Sequence, residues 1–109
     1  MKPVGEIIRQ KREEKGWLLR HLAAKIDIDQ ALLSKIERGE RRASKEQIEK
    51  LACELGLNKE ELMLQFLSEN IAYEIADEEN ALEVLQVAEG KVEYLRKKKR
   101  GNSNKYNKN

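Results

Sequence analysis

Gln30, Ser34 and Lys35 carry an amide, a hydroxyl and an ammonium group at a spacing that places them on one face of a helix. Such groups donate and accept hydrogen bonds in defined directions, which suits recognition of a patterned polar surface such as the edges of bases. Ala31 adds a small position to the same face. An ordinary solvated helix face has a similar composition, so these residues indicate a function only within a defined structural context.

Residues that could perform catalysis or bind a metal are few. The chain has one histidine, His21, and one cysteine, Cys53, so neither an intramolecular disulfide nor a thiolate metal cluster can form. The sequence also lacks a nucleophile–base pair and a glycine-rich phosphate loop. We therefore expect a protein that is not an enzyme and has no cofactor. Cys53 is expected to be half-buried beside core positions of its helix.

Apolar residues recur at helical spacing along most of the chain, and there is no strand signal. Asp29 is a favourable N-cap, Ser44 forms a capping box with Gln47, and Asn58 forms a second one with Glu61. The predicted helices cover about residues 4–15, 19–26, 30–38, 44–55, 58–76 and 80–96. The predicted fold class is therefore all-α.

Charge is segregated along the chain. Residues 1–57 have a net charge of +3, residues 58–96 have −7, and residues 97–109 have +6. A polyanion would therefore bind the first or the last segment, because the middle one repels phosphates. The last segment has no aliphatic residue and is predicted to be a disordered basic tail. No apolar run is long enough to span a membrane and no signal peptide is evident, so a cytoplasmic location without a membrane partner is expected.

The second and third predicted helices are joined by the short turn Asp27-Ile28-Asp29. Leu22 and Ile26 face inward from the first of them, and small Ala23 allows a close crossing, which is typical of a helix-turn-helix. The inward face of the third helix has Leu33 and Ile36, opposite the polar face described above.

Residues 5–57 resemble the Xre/Cro, or phage-repressor-like, helix-turn-helix family, most specifically in the stretch LLSKIERGERRAS. The resemblance implies a five-helix DNA-binding domain that acts as a homodimer on a two-fold, double-stranded DNA operator. The regulatory role implied by the resemblance makes RNA polymerase a further candidate partner. An antitoxin-like module that holds a toxin and also binds DNA is the alternative, and a neighbouring toxin gene would favour it.

The resemblance also implies roles for individual residues. The residues expected to contact bases are Gln30, Ala31, Ser34 and Lys35. Those expected to contact the DNA backbone are Arg20, His21, Asp29, Leu32, Arg41 and Arg42. Glu37 is the structural partner of an N-terminal arginine, either Arg9 or Arg12. Two residues depart from the family pattern: Leu19 stands where the family often has Gln, and Asp27 replaces the usual turn Gly. If that turn needs a positive φ, Asp tolerates it at some cost.

Residues 58–96 lie outside the shared domain and form the predicted dimerisation region, giving a division into 1–57, 58–96 and 97–109. These helices resemble the additional C-terminal helices of regulators encoded beside DNA methyltransferases, including restriction-modification controllers. Their apolar residues could instead serve an intramolecular core alone. The residues predicted for dimerisation are Leu62, Phe66, Leu67, Ile71, Ile75, Leu82 and Leu85.

Overall fold

A computed structural model describes residues 2–107, with side chains described for residues 2–100. Within these residues the chain forms six helices and no strand, which confirms the all-α prediction. The helices are α1 (Val4–Glu14), α2 (Leu19–Lys25), α3 (Gln30–Glu37), α4 (Lys45–Leu55), α5 (Lys59–Ile75) and α6 (Ala81–Asn107). None of the described helices is long and apolar enough to cross a membrane.

The hydrophobic core lies among α1 to α5. Its largest fully buried side chains come from α1, α2, α3, α4 and the residue that ends α2: Ile8, Leu22, Ile26, Leu33, Ile48, Leu51 and Leu55. Burial of each such side chain contributes about 1.5–3 kcal/mol, so this cluster is the main source of stability. Leu62 and Phe66 of α5 belong to the same core.

Gly5 permits an unusually close contact between α1 and the end of α3. A Cβ atom at this position would lie 2.3 Å from the carbonyl oxygen of Ile36 and 2.5 Å from that of Glu37. Both atoms belong to the backbone and cannot rotate away. The absence of a side chain at residue 5 therefore allows α1 to lie directly against α3.

The predicted helix ends are largely confirmed. Ser44 accepts a hydrogen bond from the Gln47 amide at 3.1 Å, and the Gln47 side chain accepts one from the Ser44 amide at 2.9 Å. The Asn58 side chain accepts one from the Glu61 amide at 2.9 Å. Asp29 is at the N-cap of α3, but its carboxylate makes no capping hydrogen bond, so that part of the prediction is wrong. Cys53 is exposed rather than half-buried, because it points away from the core that Ala52 enters.

The first compact unit extends beyond the predicted boundary at residue 57, since the division between units falls between Ala72 and Tyr73. Leu62 and Phe66 are only 3% and 7% exposed, so within this chain they contribute to the core and offer little surface to a second protomer. They lie on the inner face of α5, which packs on the core. In addition, Glu69 accepts a hydrogen bond from the Val4 amide at 3.0 Å, joining α5 to the start of α1.

The second unit contains the end of α5 and all of α6. Helix α6 continues to Asn107, which differs from the disordered tail predicted from Lys97. Lysine and arginine are good helix formers, and cations near a helix C-terminus interact favourably with the helix dipole. The final part of that predicted tail, residues 108–109, lies outside the described residues.

Replacing Gly5 with Ala should destabilise the fold by about 1–3 kcal/mol, because the added methyl group collides with backbone atoms of α3. The matched control is Gly90→Ala, where the added atom meets nothing within 4 Å and helix propensity should instead improve. Urea unfolding monitored by circular dichroism would measure the change in the free energy of unfolding for each variant. Equal stability of Gly5→Ala and the unmodified protein would contradict the close contact.

Candidate nucleic-acid interface

Helices α2 and α3 are held together by a tight turn at residues 26–29. The Ile28 amide donates to the Ala23 carbonyl at 3.0 Å, and Asp27 has a φ of 57°. The turn therefore does require the positive φ that glycine adopts most easily, and Asp27 adopts it at a modest energetic cost. Ala23 is 2% exposed at the crossing of the two helices, as predicted.

A buried ion pair fixes α3 against α1. Arg12 donates from Nε to Glu37 Oε2 at 2.8 Å and from its NH2 group to Glu37 Oε1 at 3.0 Å. Its Nη1 atom donates to the Trp17 carbonyl at 2.7 Å. The hydrogen bond to Glu37 raises the pKa of Arg12, so the guanidinium keeps its positive charge. Of the two predicted arginines, Arg12 is the partner of Glu37, while Arg9 pairs with Glu13 at the surface.

The outward face of α3 contains the residues predicted to contact bases. Gln30, Ala31 and Lys35 are exposed. Ser34 is half-buried, and its hydroxyl accepts a hydrogen bond from Arg38 at 2.8 Å. Leu33 and Ile36 face the core from the opposite side. The helix thus presents an amide, a methyl group and an ammonium group to solvent on one side.

Arg38 is a candidate contact residue that was not among those predicted from the sequence. It ends α3, is exposed, and bonds Ser34 and, at 2.5 Å, Glu40. Its position four residues after Ser34 places it on the outward face, and this spacing was the signal available in the sequence. Leu32, by contrast, packs partly against the core, which reduces its accessible surface.

Two further polar side chains predicted to contact the DNA backbone lie on α2. Arg20 and His21 of α2 are exposed, and the His21 Nδ1 atom accepts a hydrogen bond from the Leu18 amide at 3.3 Å. That bond leaves Nε2 as the free donor of His21. Leu19 packs against the core instead of presenting a polar group, which accounts for its departure from the family pattern.

Arg41 and Arg42 lie between α3 and α4 and are exposed. The Glu40 amide donates to the Lys35 carbonyl at 2.9 Å, and Gly39 has a φ of 75°, so the chain turns sharply at the end of α3. Among residues 2–100, neither arginine forms an ion pair. Both guanidinium groups are therefore available to phosphate oxygens.

The geometry described above defines a helix-turn-helix DNA-binding protein. A family model, HTH_3: Helix-turn-helix, matches residues 8–62, and the chain belongs to this family. Its members are DNA-binding proteins without catalytic activity, and this chain is a transcriptional regulator of the Xre-like type. No significant match is found among curated proteins.

Solved structures of regulators resemble this chain. The restriction-modification controller C.AhdI from Aeromonas hydrophila is 33% identical, with 55% of this chain and 91% of that chain covered and a TM-score of 0.52. The structure of SinR, the master regulator for biofilm formation, in complex with DNA is 34% identical to this chain. The match covers 55% of this chain and 97% of that chain, with a TM-score of 0.51. The N-terminal DNA-binding domain of SinR from Bacillus subtilis gives the same identity and TM-score. The clp gene regulator ClgR from Corynebacterium glutamicum is 26% identical to this chain. The match covers 79% of this chain and 89% of that chain, with a TM-score of 0.53.

Arg12→Ala should lower stability by about 3–5 kcal/mol, because it leaves the Glu37 carboxylate buried without its partner. The double variant Arg12→Met/Glu37→Leu should recover most of this loss, since neither charge then remains buried. Arg9→Ala, which removes an exposed pair, serves as the control and should change stability little. Chemical denaturation of the three variants would decide the matter; equal losses for Arg9→Ala and Arg12→Ala would refute the role of the buried pair.

Proposed function

We propose that this protein binds a two-fold operator as a homodimer and inserts one α3 helix of each protomer into the major groove. The observation that supports this most directly is the outward face of α3, where Gln30 and Lys35 are exposed, together with the exposed Arg41 and Arg42 in the loop that follows α3. A glutamine side chain can form two hydrogen bonds at once with the N6 and N7 atoms of adenine. A lysine ammonium can donate to the O6 and N7 acceptors of guanine. The arginines contact phosphates and set the register of the domain on the duplex.

The dimer surface is proposed to include the outer face of α5. Leu64, Leu67 and Ile71 are 66%, 38% and 52% exposed, and their spacing places them in one stripe. A shallow groove beside this stripe is lined by Met63, Leu64 and Leu67 together with Glu49, Lys59 and Glu60. Leu64 is thus an added candidate, while Leu62 and Phe66 are removed. Ile75, Leu82 and Leu85 stay in the proposal, and the latter two are exposed.

Dimerisation would set the distance between the two recognition helices. Two recognition helices must lie about 34 Å apart, or one turn of DNA, to read adjacent half-sites. The monomer has already buried its core residues, so the exposed stripe on α5 is free to contribute to the contact with a second protomer.

A restriction-modification operon is the candidate target, because C.AhdI is a controller of that kind. Protection footprinting on the DNA upstream of this protein's own gene would test both the operator and its two-fold symmetry. A neighbouring methyltransferase gene together with a symmetric footprint would support the proposal. An asymmetric footprint covering a single half-site would contradict it.

Lys35→Ala should relax sequence preference at one base pair in each half-site, at a cost of about 1–3 kcal/mol. Arg41→Ala should weaken binding to all sequences alike and reduce the slope of log K against log salt by about one unit. Fluorescence anisotropy with a panel of point-substituted operators distinguishes the two behaviours. If Lys35→Ala kept both the preferred site and its affinity, the assignment of α3 as the recognition helix would be wrong.

Leu64→Asp/Leu67→Asp should give monomers with weak operator binding and an unchanged helical content, because both side chains are outside the core. The matched control for the oligomeric state alone is Leu18→Asp, which adds a charge at an exposed leucine outside α5; its operator binding is not compared, since residue 18 lies beside His21. Analytical ultracentrifugation at tens of micromolar measures the oligomeric state. Dimers of undiminished stability in the α5 variant would rule out this surface.

A further inference from the structure

Helix α6 and the residues just before it are divided into two segments of opposite charge. Residues 77–89 contain five acidic residues and no basic one, whereas residues 91–100 contain six basic residues and one acidic residue. The two segments therefore have formal charges of −5 and +5 and meet near Gly90. All side chains of residues 91–100 are exposed, so the basic segment is accessible along its whole length.

The same helix has an apolar stripe at heptad spacing. Its members follow one another at intervals of four and three residues, which is the pattern of a coiled-coil seam: Ala81, Leu85, Ala88, Val92 and Leu95. Leu85, Val92 and Leu95 are 41%, 51% and 59% exposed. A stripe of this kind on a helix needs a partner to exclude water from it.

The charges of α6 determine which helix can pair with it and whether the pair is parallel or antiparallel. Paired helices lie 8–10 Å apart, which is comparable to the Debye length of about 8 Å at physiological salt, so their charges interact. In a parallel pair the two +5 segments would lie side by side, and so would the two −5 segments. In an antiparallel pair each −5 segment lies beside a +5 segment. A second copy of α6 is therefore complementary to the first in one direction only.

We propose that α6 pairs with α6 of a second copy in an antiparallel coiled coil whose two-fold axis passes close to Gly90. This proposal rests on the homodimer proposed above and specifies one part of its interface. In this register Leu85 of one protomer lies beside Leu95 of its partner, and Ala88 lies beside Val92 of its partner. Lys99 falls opposite the small Ala81, which leaves room for the lysine stem while its ammonium reaches water.

The pairing gives the basic segment a role other than DNA binding. A segment that bound phosphates would gain nothing from the acidic segment on the same helix, which would repel them. The arrangement of acids first and bases last does favour α6 itself through the helix dipole, but only in its terminal turns. Antiparallel self-association uses both segments over their full length together with the apolar stripe.

Spin labels on the full-length protein test the direction of pairing. With Cys53→Ser as background, single variants Glu83→Cys, Gly90→Cys and Lys97→Cys place labels on one outer line of α6, one heptad apart. We expect the shortest label-to-label distance at residue 90. At residues 83 and 97 the two labels are separated along the axis by 14 residues, or about 21 Å. Double electron–electron resonance measures these distances.

The other outcomes are distinct. Equal short distances at all three positions would show parallel pairing and overturn the proposal. Long, broad distances at all three positions in a protein that sediments as a dimer would also overturn it, while leaving the homodimer intact. A protein that sediments as a monomer would overturn both.

Charge reversal tests the role of the basic segment without DNA. Lys97→Glu/Lys98→Glu/Lys99→Glu should weaken dimerisation by about tenfold or more, because like charges then face each other. Glu79→Lys/Glu83→Lys/Glu89→Lys should have a similar effect, and mixing the two variants should restore dimers. Dimerisation that is unchanged in both variants would refute the proposal and leave the basic segment to another partner.

Discussion

The fold depends on one buried contact, the bidentate pair between Arg12 and Glu37. It joins α1 to α3, and the third hydrogen bond of Arg12 holds the Trp17 carbonyl at the entrance to α2. Two charges in a core are costly unless both are fully paired, and here the geometry satisfies them. The recognition helix therefore has one defined orientation relative to the rest of the domain, so its polar face points consistently outward.

Much of this arrangement could be predicted from the sequence, because it depends on local chemistry. A capping box and a glycine determine the two ends of α4, and the family resemblance implied that Glu37 pairs with an N-terminal arginine. The choice between Arg9 and Arg12 could not be made, since both precede Glu37 at plausible distances and only packing shows which one faces α3. The missing capping hydrogen bond of Asp29 could not be predicted either, because an N-cap position does not dictate the side-chain rotamer.

The least predictable part was α5. Its apolar residues occur around most of the helix, so periodicity alone does not reveal which ones face the core. Leu62 and Phe66 face inward, whereas Leu64, Leu67 and Ile71 face outward. Tertiary packing assigns these faces, and it also extends the first compact unit to Ala72. In α6, composition suggested disorder from Lys97, whereas the helix continues through residues 97–100, which are lysines and an arginine and therefore good helix formers.

The bond between Glu69 and the Val4 amide connects residues 65 positions apart, whereas most helix contacts in the domain are local. Local contacts form early in folding, and a contact with a long loop to close forms late. Helix α5 is therefore expected to dock last and to detach first in the native state, with faster hydrogen exchange than α1 to α4. Because part of the proposed dimer surface lies on this helix, its detachment would also remove contacts between the two protomers.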